Sequence, residues 1–407
     1  MQGRRIAATG PRRDSRMAWW IRLKRVSRMK RIRCRTFWLA VSLGVLVLNL
    51  GRNYSDQTKN LHKWEHINKR IYNDERQEQD SQIKQEPPSH YVFPWPKCQE
   101  NTSAANVTDF SSLPRRIKDF LYYRHCRHFP MLLNVPDKCG GANKSADVFL
   151  LLVIKSSPGN YERREVLRKT WAKERLHNGK KIHRVFISGT TDTGFEKLRQ
   201  NKLLEMEHRE YNDILQWDFV DTFLNLTLKQ ILFLEWMERN CPNARFLLNG
   251  DDDVFANTDN MVEYLQSLKD NDGSKHLFAG SLMSGDPIRN PNSKYYVPVQ
   301  VEINSFPIYC SGGGFLLSGY TAMVIYKMSQ SIPILPIDDV YMGMCLAKAG
   351  LKPSNHIGVK TFGVNIPSTK LDQYDPCYYK DMLLVHRFLP QATFLMWQRI
   401  HDSKLKC

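Results

Sequence analysis

The stretch FLLNGDDDVFANTD, residues 246–259, ends an apolar run on three consecutive aspartates. Three like charges at the end of a buried strand repel one another and destabilise the fold unless a cation offsets them. Side chains alternate along an extended chain, so Asp251 and Asp253 project to one side. Two carboxylates so placed suit a hard divalent cation that also holds a diphosphate. A calcium loop of the EF-hand kind is excluded, because Ala256 and Val262 stand where that loop needs Gly and Glu. An acidic surface turn is the plain alternative, and the apolar strand in front of the triplet weighs against it.

Outward from the triplet, strand-like and helix-like blocks alternate. DVFLLLVIKS (147–156), RVFISG (184–189), DILQWDF (213–219) and RFLLNG (245–250) have the length and β-branched content of strands. YERREVLRKTWAKERL (161–176), EKLRQNKLLEMEHREY (196–211) and NLTLKQILFLEWMERN (225–240) have helical spacing. This alternation predicts an α/β domain with a mostly parallel sheet flanked by helices on both faces. In such sheets ligands sit outside the carboxyl ends of the strands, where Asp251, Asp252 and Asp253 fall.

Other motifs supply further candidates. LPIDDVYMGMCLAKAG (335–350) opens a predicted helix on Asp338 and Asp339. Capping needs only one carboxylate, so the pair reads equally well as a helix cap or as a cap beside a general base. Arg164 and Arg168 share a helix face at i, i+4, which fits either phosphate recognition or a solvated basic face. Asp221, Asn225 and Lys229 surround a helix start, although Asn225 lies in a glycosylation sequon that would turn it to solvent. YCSGGGFLLSG (309–319) lets backbone approach a ligand closely, as any flexible turn would.

The chain has 407 residues and a formal charge of +18, of which residues 1–36 carry +12. That basic stretch runs into FWLAVSLGVLVLNL (37–50), which has no charge, so membrane anchorage explains both and nucleic acid is not the expected partner. The expectation is a basic cytosolic tail (1–36), a transmembrane signal anchor (37–51), a disordered polar stem (52–110) and a catalytic domain (111–407) in the lumen. A cleaved signal peptide is the rival. Five Asn-x-Ser/Thr sequons, at Asn53, Asn101, Asn106, Asn143 and Asn225, fit a luminal position, as do eight cysteines beyond the span that allow up to four disulfides. HCRH (125–128) reads as a disulfide beside two histidines rather than as zinc.

From about residue 117 onward the chain resembles the β-1,3-N-acetylglucosaminyltransferase branch of glycosyltransferase family 31. The matching strings include FLYYRHCRHFPMLL, LLVIKSSPGNYERREVLRKTW, DILQWDFVDTFLNLTLKQILFLEW, FLLNGDDDVFANTDNM, SKYYVP, PIDDVYMGMCL and DPCYYKDMLLVHRFLP. Within that branch YRHCRHFP and LNGDDDVFANTDNM look most like members that extend core 1 mucin-type O-glycans. The resemblance implies a GT-A fold, a UDP-N-acetylglucosamine (UDP-GlcNAc) donor, Mn2+ or Mg2+, and inverting transfer to the 3-hydroxyl of a terminal galactose in O-glycans or poly-N-acetyllactosamine. It implies Asp253 as metal ligand with His386 beside it, and Asp251 and Asp252 by the ribose and phosphates. It also implies Lys155, Arg164 and Arg168 on the nucleotide, with Asp221 close by, and Asp339 as the base. A Golgi membrane location follows from the resemblance, and a homodimer or a hetero-oligomer with other glycosyltransferases is left open. Ala172, Ser311 and FPIY (306–309) depart from the family's pattern, which bears on the acceptor. A β-1,3-galactosyltransferase of the same family, or a non-catalytic type II membrane lectin, are the alternatives.

Overall fold

The computed structural model describes residues 98–191, 194–362 and 374–407. The basic tail, the apolar run at 37–51 and the stem up to residue 97 lie outside the described residues. Among the described ones no helix is long and apolar enough to cross a membrane. Val92–Cys407 forms one compact unit. Residues 98–110, expected in the stem, are tied to it: Cys98 is bonded to Cys126, the Asn101 N–H donates to the Tyr122 carbonyl at 3.0 Å, and Gln300 Nε2 donates to the Thr108 carbonyl at 2.6 Å.

The chain passes through α1 (Arg115–Tyr123), β1 (Met131–Leu133), β2 (Val148–Lys155), α2 (Tyr161–Lys169), β3 (Arg175–His177), β4 (Lys180–Thr190), α3 (Phe195–Tyr211), β5 (Ile214–Val220), α4 (Leu226–Asn240) and β6 (Phe246–Asp251). Beyond the aspartates come β7 (Val254–Ala256), α5 (Thr258–Ser267), β8 (Phe278–Gly280), β9 (Leu282–Gly285), β10 (Phe306–Cys310), β11 (Gly314–Ser318) and α6 (Gly319–Ser329). The last elements are α7 (Asp338–Lys348), β12 (Ser354–Asn355), β13 (Val359–Lys360), α8 (Pro376–Lys380), β14 (Leu384–His386) and α9 (Pro390–Ile400).

The main sheet has the order β1-β5-β4-β2-β6-β11-β8-β12, with β3 paired to β4. Strands β5, β4, β2 and β6 are parallel, as the alternation predicts. β2 is buried along its whole length, which is how a central strand between parallel neighbours reads. Its alternation divides the core: Leu151 and Val153 pack with α4, α6 and α7, while Leu150, Leu152 and Ile154 pack with α2 and α5.

The sheet as a whole is mixed rather than mostly parallel. β11 runs antiparallel to both β6 and β8, with Gly314 opposite Gly250. The chain reaches β11 from β10 through residues 311–313, at the carboxyl edge of β6. No crossover helix carries it to the far edge, so it has to run back the other way.

Helix α2 ends at Lys169, short of the predicted 176. Trp171 and Ala172 are fully buried, and Trp171 Nε1 donates to the Val254 carbonyl at 3.0 Å. Inserting that indole takes the chain off the helical path, and residues 175–177 then pair antiparallel with β4. Three disulfides form, Cys98–Cys126, Cys139–Cys241 and Cys377–Cys407. Cys310 and Cys345 are free and buried, so a fourth is not made. The Cys98–Cys126 bond also spends the sulfur on which zinc at HCRH would depend.

Arg164 and Arg168, expected at the nucleotide, face the interior instead. Glu207 accepts from Arg164 Nε at 2.8 Å and Nη2 at 2.7 Å, and the remaining Arg164 donors reach Ser156 Oγ and the Ser157 and Pro158 carbonyls. Arg168 binds Asp213 through Nε and Nη2, both at 2.8 Å, and Glu207 through Nη1 at 2.7 Å. Its guanidinium lies 3.9 Å from the centre of the Tyr211 ring, and Arg184 Nε adds a 2.7 Å bond to Asp213. Burial opposes the Asp213 charge, but Arg168 and Arg184 hold its carboxyl below the usual range. Its contribution to stability is therefore present above the unfolded carboxylate range and is lost as pH falls below it. The i, i+4 arginines clamp α3 and the start of β5 onto α2. Replacing Arg168 with Ala leaves buried carboxylates short of a partner and is expected to cost about 3 kcal/mol by urea denaturation. Ligand affinity of the molecules that remain folded should not change, whereas a nucleotide contact at Arg168 would show as lost affinity.

Candidate active site

Lys155 ends β2, Asp251 ends β6, Asp221 follows β5 and Gly313 precedes β11, so all four lie at the carboxyl edge of the sheet. The N-terminus of α7 brings Asp338 and Asp339 to the same edge. These residues line a cavity of about 590 Å³, together with Asp252, Asp253, Lys229 and His386. Eight of the ten residues assigned to the site from sequence, counting Asp338, meet there; Arg164 and Arg168 do not.

Lys155 is the internal counter-ion. Its Nζ lies 2.9 Å from Asp251 Oδ1 and 2.8 Å from Asp338 Oδ2, with the side chain buried. Burial opposes the ammonium, yet the two aspartates together hold its pKa above the ordinary value. Asp252 turns away from Asp251, buried against Asn160 Nδ2 and Arg163 Nη1 at 2.8 Å each. Arg163 also reaches Asp253 at 3.6 Å.

Asp251 and Asp253 do project together, and His386 completes a triad. His386 Nε2 is 3.2 Å from Asp253 Oδ1 and 3.8 Å from Asp251 Oδ2. Ligand atoms of all three residues lie within 4.8 Å of one another. The Thr361 carbonyl, 3.0 Å from His386 Nδ1, can only accept, so Nδ1 carries hydrogen and Nε2 is the nitrogen that faces the carboxylates. Two carboxylates and an imidazole whose second nitrogen is tied to a carbonyl form a donor set that fits Mn2+ or Mg2+. Asp251 thus stands with Asp253 and His386 as well as with Lys155, a wider set of neighbours than the resemblance gave it.

Gly313 makes this packing feasible. Its φ is +103°, and a Cβ there would stand 2.8 Å from His386 Nδ1. The glycine loop brings backbone close to the imidazole, where the sequence suggested close approach to a ligand.

Asp338 and Asp339 divide their tasks. Neither is the capping residue, which is Ile337. Asp338 pairs with Lys155, while Asp339 Oδ1 accepts from the Val340 N–H at 2.8 Å and Oδ2 from the Gly312 N–H at 2.7 Å. Burial and then the Asp338 charge push the Asp339 carboxyl up to about 7, a value suited to taking a proton near neutral pH. Asp253 shows the opposite behaviour: burial raises it, but His386 and Arg163 bring it below the usual carboxylate range.

Asp221 is buried on Lys229 at 2.7 Å and accepts from the Gly189 N–H at 3.0 Å. Asn225 donates to the Val220 carbonyl at 2.8 Å, and Thr227 of its sequon is fully buried on the Leu335 carbonyl. Sequence reasoning missed Asn160, at the start of α2, and Arg163, one position before the buried Arg164. It also missed that Phe223 and Tyr295 join Phe306 and Tyr309, the two ends of the FPIY string on β10, in one aromatic wall, because they come from three separate segments of the chain.

A galactosyltransferase family model matches residues 162–356. The human acetylgalactosaminyl-O-glycosyl-glycoprotein β-1,3-N-acetylglucosaminyltransferase is 50% identical over 332 residues, covering 81% of this chain and 85% of that protein. The human N-acetyllactosaminide β-1,3-N-acetylglucosaminyltransferase 3 is 53% identical over 313 residues, covering 76% and 82%. A rat UDP-GlcNAc:betaGal β-1,3-N-acetylglucosaminyltransferase 7 is 42% identical over 315 residues, covering 76% and 77%. On identity of this extent over more than three quarters of its length, the chain belongs to the β-1,3-N-acetylglucosaminyltransferase family.

Proposed function

We propose that this chain moves N-acetylglucosamine from UDP-GlcNAc in β-1,3 linkage to a terminal galactose of O-glycans or poly-N-acetyllactosamine, with inversion, on a domain of GT-A type. The proposal includes a Golgi location, with residues 37–51 as the anchor and the domain in the lumen. The observation that carries it is the pairing, within one cavity, of the Asp251–Asp253–His386 triad with a separate carboxylate, Asp339, whose affinity for a proton is raised.

Asp253, His386 and Asp251 would hold Mn2+ or Mg2+, whose charge stabilises the departing diphosphate when bound. Asp339 takes the proton of the acceptor 3-hydroxyl as its oxygen bonds to the anomeric carbon and the bond to UDP breaks. One displacement inverts the centre, so a single base suffices. Lys155 keeps Asp251 and Asp338 in place between these two groups, and the N–H of Gly312 fixes the Asp339 carboxylate.

Because the base works ionised, kcat/KM should fall as pH drops through about 7 and level off above it. Asp339→Asn should lower kcat roughly a thousandfold and abolish that limb of the profile; an unchanged profile would assign the proton to another group. Asp253→Asn should cost about a hundredfold or more in turnover and weaken Mn2+ binding, with an unchanged melting temperature. Gly313→Ala should weaken Mn2+ binding through displacement of His386, which calorimetric titration without any sugar reads directly. The donor is decided by presenting UDP-GlcNAc and UDP-galactose side by side with a galactose-terminated acceptor; preference for UDP-galactose would replace this reading with the galactosyltransferase one.

A further inference from the structure

Among the described residues, the cations that line the cavity have partners within it, with one exception. Lys155 lies between Asp251 and Asp338, Arg163 between Asp252 and Asp253, and Lys229 on Asp221. Lys294 holds its ammonium over the Phe223 and Tyr295 rings, 5.3 and 4.7 Å from their centres. Arg387 lines the same cavity, is exposed, and forms no ion pair among the described residues.

Its backbone is the second observation. Arg387 has φ +70°, a left-handed conformation that side chains other than Gly, Asn and Asp rarely adopt. Both neighbours are fastened to the aspartate loop. His386 pairs with Val254 at the end of β14, and the Phe388 N–H donates to the Asp253 carbonyl at 2.7 Å. The strain is therefore imposed by the segment that carries His386 and by its bond to the Asp253 backbone, and it sets an exposed guanidinium on the wall of the cavity that Asp251, Asp253 and His386 also line. Strained residues of this kind persist where the surrounding structure over-determines them, at ligand clamps above all.

A guanidinium in this position is suited to an oxyanion that arrives with the ligand, since its planar fork matches two phosphate oxygens. We propose that Arg387 binds the diphosphate of the nucleotide sugar and of the UDP that leaves. The inference rests on the donor reading above and adds to it the residue that grips the charged leaving group from outside the acidic cluster.

The test uses Arg387→Gly and Arg387→Asn, both of which accept the left-handed backbone while removing the charge. Binding of UDP and of uridine is measured for each in the presence of Mn2+, by calorimetry for UDP and by ligand-detected NMR for uridine. The Kd for UDP should rise about tenfold or more in both variants, that for uridine should stay within about twofold, and the melting temperature should hold or increase as strain is relieved. Unchanged UDP affinity overturns the proposal. So does equal weakening of UDP and uridine, which is what a purely structural residue would give. Wild-type protein that binds neither ligand defeats the nucleotide reading itself, and this inference with it.

Discussion

The Lys155 ammonium, held between Asp251 and Asp338, is the interaction on which the rest of the site depends. The carboxyl edge of the sheet gathers Asp221, Asp251, Asp252, Asp253, Asp338 and Asp339 within one cavity. Left unpaired, such a cluster would neutralise itself by taking up protons, because desolvation and like charge both favour the acid form. Lys155 comes from the end of β2, between β4 and β6, and so places a buried positive charge at the centre of the parallel core. It joins the end of β6 to the start of α7, which ties the Asp251–Asp253–His386 side of the cavity to the Asp339 side.

With that charge in place, neighbouring acids acquire different chemistry. Asp253 has His386 and Arg163 beside it and stays ionised. Asp339 is bonded to backbone N–H groups and faces a second aspartate; burial and that charge outweigh the pull of Lys155, and it holds its proton more tightly. A divalent ion needs the first environment and a general base near neutral pH needs the second. The separation arises from which cations each carboxylate meets, and those meetings follow from where β6, α2 and α7 end.

The parallel core was legible because β2, β4, β5 and β6 are long apolar runs divided by helices of clear period. That Asp251, Asp253 and Asp339 would share one cavity was legible because clustered aspartates have few uses after a buried strand. The arginines of α2 were not: i, i+4 spacing shows that Arg164 and Arg168 share a face, but not whether that face meets solvent, phosphate or buried acids. The answer lay in Glu207 and Asp213, whose approach depends on how α3 packs. Trp171 was misleading for a similar reason, since its spacing continues the helix while its burial ends it.

The direction of β11 was the least legible feature, and the site is built on it. A parallel β11 would start at the amino edge of the sheet and would leave residues 311–313 far from Asp251. The antiparallel strand starts opposite Gly250, so the Asp251 N–H donates to the Gly313 carbonyl at 2.9 Å and the Gly312 N–H reaches Asp339. The same loop leaves room for the His386 ring where any side chain at Gly313 would collide with it. One strand reversal thus sets the spacing between the Asp251–Asp253–His386 triad and Asp339. That explains the glycines at 313 and 314: a Cβ would meet the His386 ring at the first and the Leu384 side chain at the second, so the backbone itself is the structural material of the site.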